Sequence, residues 1–464
     1  MRTAFPVAAR ERRWGDQVIQ SSTRVRVRLD SYNFPSAMPS DARASRRGVN
    51  RLVIAALVAA VTSLGACRTG REAPAGQSAI DSLRLQSWDS VVARSRGSEV
   101  VWRMWRGDRS INTYVDGWVA PQLQQRYGIT LRAVEGQGPE IVNQLVIERE
   151  AGRRTGTASL LWINGETFAN LRRERLLGGP WAGRLPNATF VDSASPIIRR
   201  DFEQDPEGFE SPWGRVQFAL IYDTLRTPSP PRNVAELAAW IRAHPGRFTY
   251  DQGFTGTTFQ KVILYALNGG AEHFAGGFDS TRYVGGRDRL WAWLDSLRPF
   301  LWRRGETYPA DVAAVHRLFA NNEIDLSMSN NENDVIAKAR QGILPVTAKP
   351  LLLQDGTIAN AHYVGVPFNA PNAAGAMVVA NFLLSPEAQL EKQRPAVWAD
   401  GTVLNVGKLP DEWRARFNAL AVDSRALSRD SLARYAVPEV SPRYHERLAA
   451  DWRTHVRAGV PVAR

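Results

Sequence analysis

The chain has 464 residues, 44% of them hydrophobic and 23% charged, proportions that exclude a mainly disordered or fibrous protein and leave room for two or three domains. Its net charge of +13 would suit a nucleic-acid or anionic-lipid partner, but residues 1–66 hold eleven arginines against Glu11, Asp16, Asp30 and Asp41 and so carry +7 of it, leaving +6 for residues 67–464. That remainder is interspersed with acids, as between Glu135 and Arg154, and no basic run is interleaved with aromatic residues, so no nucleic-acid partner is expected.

The first readable element is an export signal. Leu52 to Ala66 is free of charge and follows Arg43, Arg46, Arg47 and Arg51; it is short of the roughly 20 residues a spanning helix needs but fits a signal-peptide core. It ends in Leu64-Gly65-Ala66-Cys67, which resembles the bacterial lipobox, so Cys67 is the expected lipidation site and the mature chain is expected to begin there. Cys67 is the only cysteine, which excludes disulfides and a second thiol from the mature chain. Because such signals lie close to the start, Met38 is the expected initiator, and residues 1–37 receive no function.

A polar tether from Arg68 leads into a helical pattern at Leu83, Trp88, Val91 and Val92. Next come a strand at Glu99 to Trp105 and a helix with Val115, Trp118, Val119 and Leu123 on one face, closed by Gly128. A second strand at Ile129 to Val134, a helix facing with Ile141, Leu145 and Val146, and a third strand at Ala158 to Ile163 complete a βαβαβ order. That order predicts an α/β protein with a largely parallel, doubly covered sheet and a ligand site at the carboxyl ends of the strands. Trp213 to Asp223 reads as one strand, and Asn233 with Glu236 as the cap of the next helix. Helices near 256–268, 287–303 and 309–322, a short strand at Ile324 to Met328 and a helix after Asn330 imply a second α/β lobe. A strand at Ala361 to Phe368, a helix at Ala373 to Leu384 and a helical tail from Glu387 close the chain.

Motifs for catalysis or cofactors fail. Gly136-x-Gly138 lacks the third glycine of a dinucleotide fingerprint, no phosphate-binding loop or nucleophile elbow occurs, and His445-Glu446 is followed by Ala449 where a zinc site needs histidine. The six histidines show no ligand spacing, so neither a metal nor a cofactor is expected.

What remains is a set of loops at strand ends that pair an aromatic ring or carboxylate with small polar groups. Trp105, Asp108 and Asn112 follow the first strand, Trp162, Asn164 and Glu166 end the third, and Trp213 opens the fourth. Thr255, Gly256 and Thr257 lead into one helix, and Asn330 and Asn331 cap another. These twelve residues are the candidate ligand site. Each also reads as a turn, a helix cap or aromatic core, and the fifteen tryptophans carry the same two readings, stacking platform or core.

Several blocks, in order, resemble one family: LLWINGETFANL (160–171), FESPWGRVQFALIYDT (209–224), PGRFTY (245–250), FTGTTF (254–259), the stretch from His362 to Gln393, and VWADGTVLN (397–405). Over roughly 85–464 the chain resembles the YnjB-type solute-binding component of bacterial ABC importers, a thiamine-type system. The resemblance implies the two-lobe type II periplasmic-binding-protein fold, with hinge strands crossing near Ser211–Gly214 and Leu344–Lys349. Lobe 1 would then comprise 99–212 and 346–385, and lobe 2 would comprise 213–345 and 386–464. It further implies a monomer that takes a small solute between its lobes, with an ABC permease and its ATPase as partners and the membrane reached through a lipid anchor. A thiamine-like cation would stack on Trp105, Trp162 and Trp213 with Glu166 balancing its charge, whereas an anion would prefer the helix starts at Thr255–Thr258 or Asn330–Asn331. The absence of a Tyr-Tyr pair disfavours ferric ion. An extracytoplasmic enzyme on the same scaffold is the alternative, and turnover of a bound compound would distinguish it.

Overall fold

The computed structural model describes residues 75–459, so Met38, the export signal and Cys67 lie outside the described residues. Strands β1 (Glu99–Met104), β2 (Thr130–Glu135) and β3 (Leu160–Ile163) form the expected parallel unit, with β1 between the other two. Beside β3 runs β8 (Thr357–Gly365), antiparallel to it and to β4 (Glu210–Gln217), and β9 (Ala436–Pro438) pairs with the start of β8. A second sheet holds β5 (Ala219–Asp223) between β6 (Leu326–Ser329) and β7 (Ala348–Leu351), all antiparallel. The largely parallel sheet expected from the βαβαβ order therefore extends only over β1 to β3.

The antiparallel part has a simple cause: β4 and β8 carry the chain between the two sheets in opposite directions. The run from Trp213 to Asp223, read as one strand, is two strands in different sheets, divided at Phe218, whose amide donates to Ile358 at 2.8 Å. The return crossing is the turn 352–356 between β7 and β8, closed by Gly356 at φ 111°. Both crossings lie a few residues beyond Ser211–Gly214 and Leu344–Lys349, because the ladder of β4 continues to Gln217 and that of β7 to Leu351.

Two cores follow. The first collects Val100, Trp102, Met104, Trp213, Val364 and the helix Ala373–Leu383, which is buried along its whole length. The second collects Phe218, Leu220, Met328 and the helix Phe254–Leu267, buried from Thr255 to Tyr265. Residues 386–417, expected in lobe 2, pack on the first core: Ala388, Trp398, Leu404, Leu409 and Phe417 belong to it, and the Tyr114 hydroxyl donates to the Ala388 carbonyl at 2.8 Å. The chain crosses a third time after Phe417, with Ala426 against the second lobe and Tyr444, Leu448 and Trp452 of the last helix inside its core. Among the described residues no helix is long and apolar enough to cross a membrane.

Candidate functional site

At the carboxyl end of β3 the half-buried Trp162 meets Trp213 of β4 edge to face, with ring centroids 4.9 Å apart. Alternation along β8 puts His362 and Val364 on the same face as Trp162, so the imidazole lies 5.0 Å from each of the two indoles. Trp398, brought in by the loop after the helix Pro386–Gln393, stacks on His362 at 5.6 Å and 16°. The result is a wall of three indoles and an imidazole where the first sheet turns toward the second.

Charged groups stand behind that wall. Asp400 is fully buried; one carboxylate oxygen accepts from Lys392 Nζ at 2.6 Å and lies 3.3 Å from His362 Nε2, while Oδ1 has no partner. Burial holds the Lys392 ammonium below the usual lysine range even with Asp400 beside it. His362 Nε2 and Trp213 Nε1 are likewise buried without a hydrogen-bond partner. Polar groups left so cost about 1–3 kcal/mol each.

The second lobe contributes Glu332, just after β6. One oxygen accepts from the amide of Gln217, the last residue of β4, at 2.8 Å, and the other accepts from Asn333 Nδ2 at 3.1 Å. Burial pushes its carboxyl up to about 7, with Arg215 and the Gln217 amide pulling the other way and Asp400 adding to the rise.

Of the residues singled out from sequence, Trp162 and Trp213 are brought together, and so are Thr255 and Asn330, whose side chains bond at 3.0 Å across the second lobe. Trp105 lies apart from the aromatic wall, over Gly107, where a Cβ would sit 2.6 Å from its ring. Asn112 donates to the Arg106 carbonyl at 2.8 Å and leaves Oδ1 without a partner. Asn164 caps the helix Gly165–Arg173 through the Thr167 amide. Glu166 in its first turn lies 3.8 Å from His445, and burial together with Glu446 raises its carboxyl. His445 is held well below the ordinary imidazole range by burial, so this contact is not an ion pair at neutral pH. Gly256 is packed onto the backbone of Asp251, Thr257 returns its hydroxyl to the Gly253 carbonyl at 3.1 Å, and Asn331 accepts from the Asn333 amide at 2.9 Å while its Nδ2 stays unpartnered. Both oxygens of Asp108 are engaged, one by the Ser110 and Ile111 amides and the other by Lys338.

Sequence reasoning missed His362, Trp398, Asp400 and Lys392, and it read Glu332 only as the end of the loop from Ser329, choosing Asn330 and Asn331 from it. His362, Lys392, Trp398 and Asp400 stand inside blocks quoted for the resemblance, and period-2 alternation marks the face of β8, but nothing local brings 392–400 to β4. Among the described residues no group of three or more histidine, cysteine, aspartate or glutamate side chains could hold a metal ion.

Two α/β lobes joined by crossing strands, with aromatic and unsatisfied polar groups at the junction, define a two-lobe solute-binding protein. The family described as bacterial extracellular solute-binding protein matches residues 118–406, and the chain belongs to it. Over 337 residues it is 38% identical to Protein YnjB of Escherichia coli (strain K12), spanning 72% of this chain and 86% of that one. The Tp0655 (TpPotD) lipoprotein of Treponema pallidum superposes with a TM-score of 0.57 at 14% identity, over 77% of this chain and 99% of that chain. The periplasmic binding protein AfuA from Actinobacillus pleuropneumoniae, with fructose-6-phosphate bound, gives 0.55 at 13% identity over 78% and 99%. These likenesses show the shared fold, and the family membership makes the chain an extracellular solute-binding protein.

Proposed function

We propose that this chain is the lipid-anchored, monomeric binding component of an ABC importer and that it holds a small organic cation with a planar ring, of the thiamine type, at the junction of its lobes. The observation that carries the ligand class is the wall of Trp162, Trp213, His362 and Trp398 backed by the open oxygen of Asp400 and by Glu332. Each well-placed ring contributes about 0.5–2 kcal/mol toward a cation; Asp400 already pairs with Lys392, so the counter-charge falls to Glu332, whose raised carboxyl a bound cation would draw into its ionised form. An anion is less well served, because Thr255 and Asn330 bond to each other. Closure of the lobes over the solute shifts an open-closed equilibrium, and the closed form docks on the permease and its ATPase.

Thermal-shift screening tests this reading. A bound solute at 100 times its Kd adds about 2.7 kcal/mol of stability. Thiamine and other cationic heterocycles are expected to raise the Tm; a rise with sugar phosphates and none with the cations would replace the proposed ligand class.

A further inference from the structure

Lys338 lies on the helix Asp334–Arg340 of the second lobe, and its ammonium is buried between two carboxylates, Asp334 on its own helix and Asp108 on the first lobe. The second-lobe half is built in advance. The other oxygen of Asp334 accepts from Ser329 Oγ at 3.0 Å, and His316 behind it is tied to the Met328 carbonyl at 2.9 Å and held neutral by burial and by Lys338. Asp108 enters from across the seam, where it also caps the helix Arg109–Tyr114 by accepting from the Ser110 and Ile111 amides at 2.8 and 3.1 Å. One residue further, Gln341 Nε2 of the second lobe donates to Ser110 Oγ of the first at 3.1 Å.

From this geometry we propose that Lys338 and Asp108 form a latch that holds the two lobes closed in the absence of solute. The chemistry suits a reversible latch. On opening, Lys338 keeps Asp334 as its partner at i,i+4, and Asp108 keeps its helix cap and gains water. At this end of the seam the cost of opening is one charge-assisted hydrogen bond and the Gln341–Ser110 bond, so the closed state is favoured without being locked. A solute that holds the lobes together elsewhere acts on an equilibrium already biased toward closure, whatever its own chemistry.

A separate contact across the seam reports on opening. There the Gly276 and Gly277 amides of the second lobe donate to the carboxylate of Glu203 on the first at 3.1 and 3.2 Å. Hydrogen-exchange mass spectrometry of the full chain, without added solute, is compared between wild type, Asp108→Asn and Lys338→Met. Asparagine still caps the helix, and the methionine keeps the stem of Lys338 in place, so the two variants break the ion pair from opposite sides. Exchange at Gly276 and Gly277 is expected to rise about tenfold in both, the factor that one such bond corresponds to, while the amides of the helix Phe254–Leu267 stay protected. Changes confined to 108–111 and 334–341, or wild-type exchange at Gly276 and Gly277 already as fast as in a free peptide, would overturn the proposal. Loss of the folded far-UV signal in both variants would overturn it too, by giving the pair a purely structural role.

Discussion

Gly214 faces His362 directly across the ladder of β4 and β8, and the missing Cβ is what lets the imidazole lie over β4 beside Asp400. A methyl group at 214 would collide with His362 Nε2 and with the Asp400 carboxylate. Neither can move freely, since His362 is stacked on Trp398 and Asp400 is bonded to Lys392. Gly214→Ala is therefore expected to lower unfolding stability by about 1–3 kcal/mol and to weaken solute binding, read from urea denaturation and titration calorimetry. Unchanged values in both would mean that the wall has room to spare.

Trp162 and Trp213 touch each other but stand differently toward water, and that separates binding from folding. Trp213 is fully buried in the first core, so Trp213→Ala should cost about 3–5 kcal/mol of stability. Trp162 is half-buried, and Trp162→Ala should cost less stability while weakening a cationic solute by roughly 0.5–2 kcal/mol, up to about thirtyfold in Kd. Equal losses of stability from the two substitutions, with binding untouched by the first, would assign Trp162 to the core alone.

How far the sequence reached can be read at these two tryptophans. Both were visible, because each ends or opens a run whose period is plain, and the strands and helices around them were visible for the same reason. Their companions were not. His362 carries no signal by itself, and Trp398 and Asp400 sit on a loop that reaches β4 only because the helix Pro386–Gln393 packs on the first core through Ala388 and donates from Gln389 to the Trp213 carbonyl at 2.8 Å. The division at Phe218 was hidden because the apolar pattern runs through it unbroken, and a change of sheet leaves no mark on local periodicity. Asp108 shows the converse. A carboxylate immediately before a helix, on the loop after a strand, looks the same from sequence whether it meets a solute or, as here, caps the helix and meets Lys338.

Glu332 predicts a pH dependence. Its carboxyl is raised from 4.5 to about 7 by burial, so between those values the unfolded chain has released the proton that the native state still holds. Stability from this group is full below about 4.5, falls as pH rises to about 7, and is level above, a change on the order of 3 kcal/mol. Asp251, raised by burial to about 6, contributes in the same direction over the lower part of the window. Glu332→Gln keeps an oxygen for the Gln217 amide and removes the titration, so the variant should gain on wild type as pH rises from 5 to 8. Chemical denaturation across that range gives the difference, and parallel curves for the two proteins would contradict the raised value.

The anchor makes the last prediction. If Cys67 carries the lipid, burial of acyl chain at about 0.8 kcal/mol per methylene should hold the protein in the membrane fraction, because the tether after it is polar and none of the described helices is long and apolar enough to cross a bilayer. Expressed in a bacterial host with labelled palmitate, the wild-type chain should carry the label and sediment with membranes. Cys67→Ala removes the only thiol and should leave an unlabelled chain, without changing the melting temperature of the folded part, since position 67 precedes the first described helix at Ala75. Label retained in the variant would place the acyl group elsewhere, and a wild type without label would make the chain a freely diffusing binding protein.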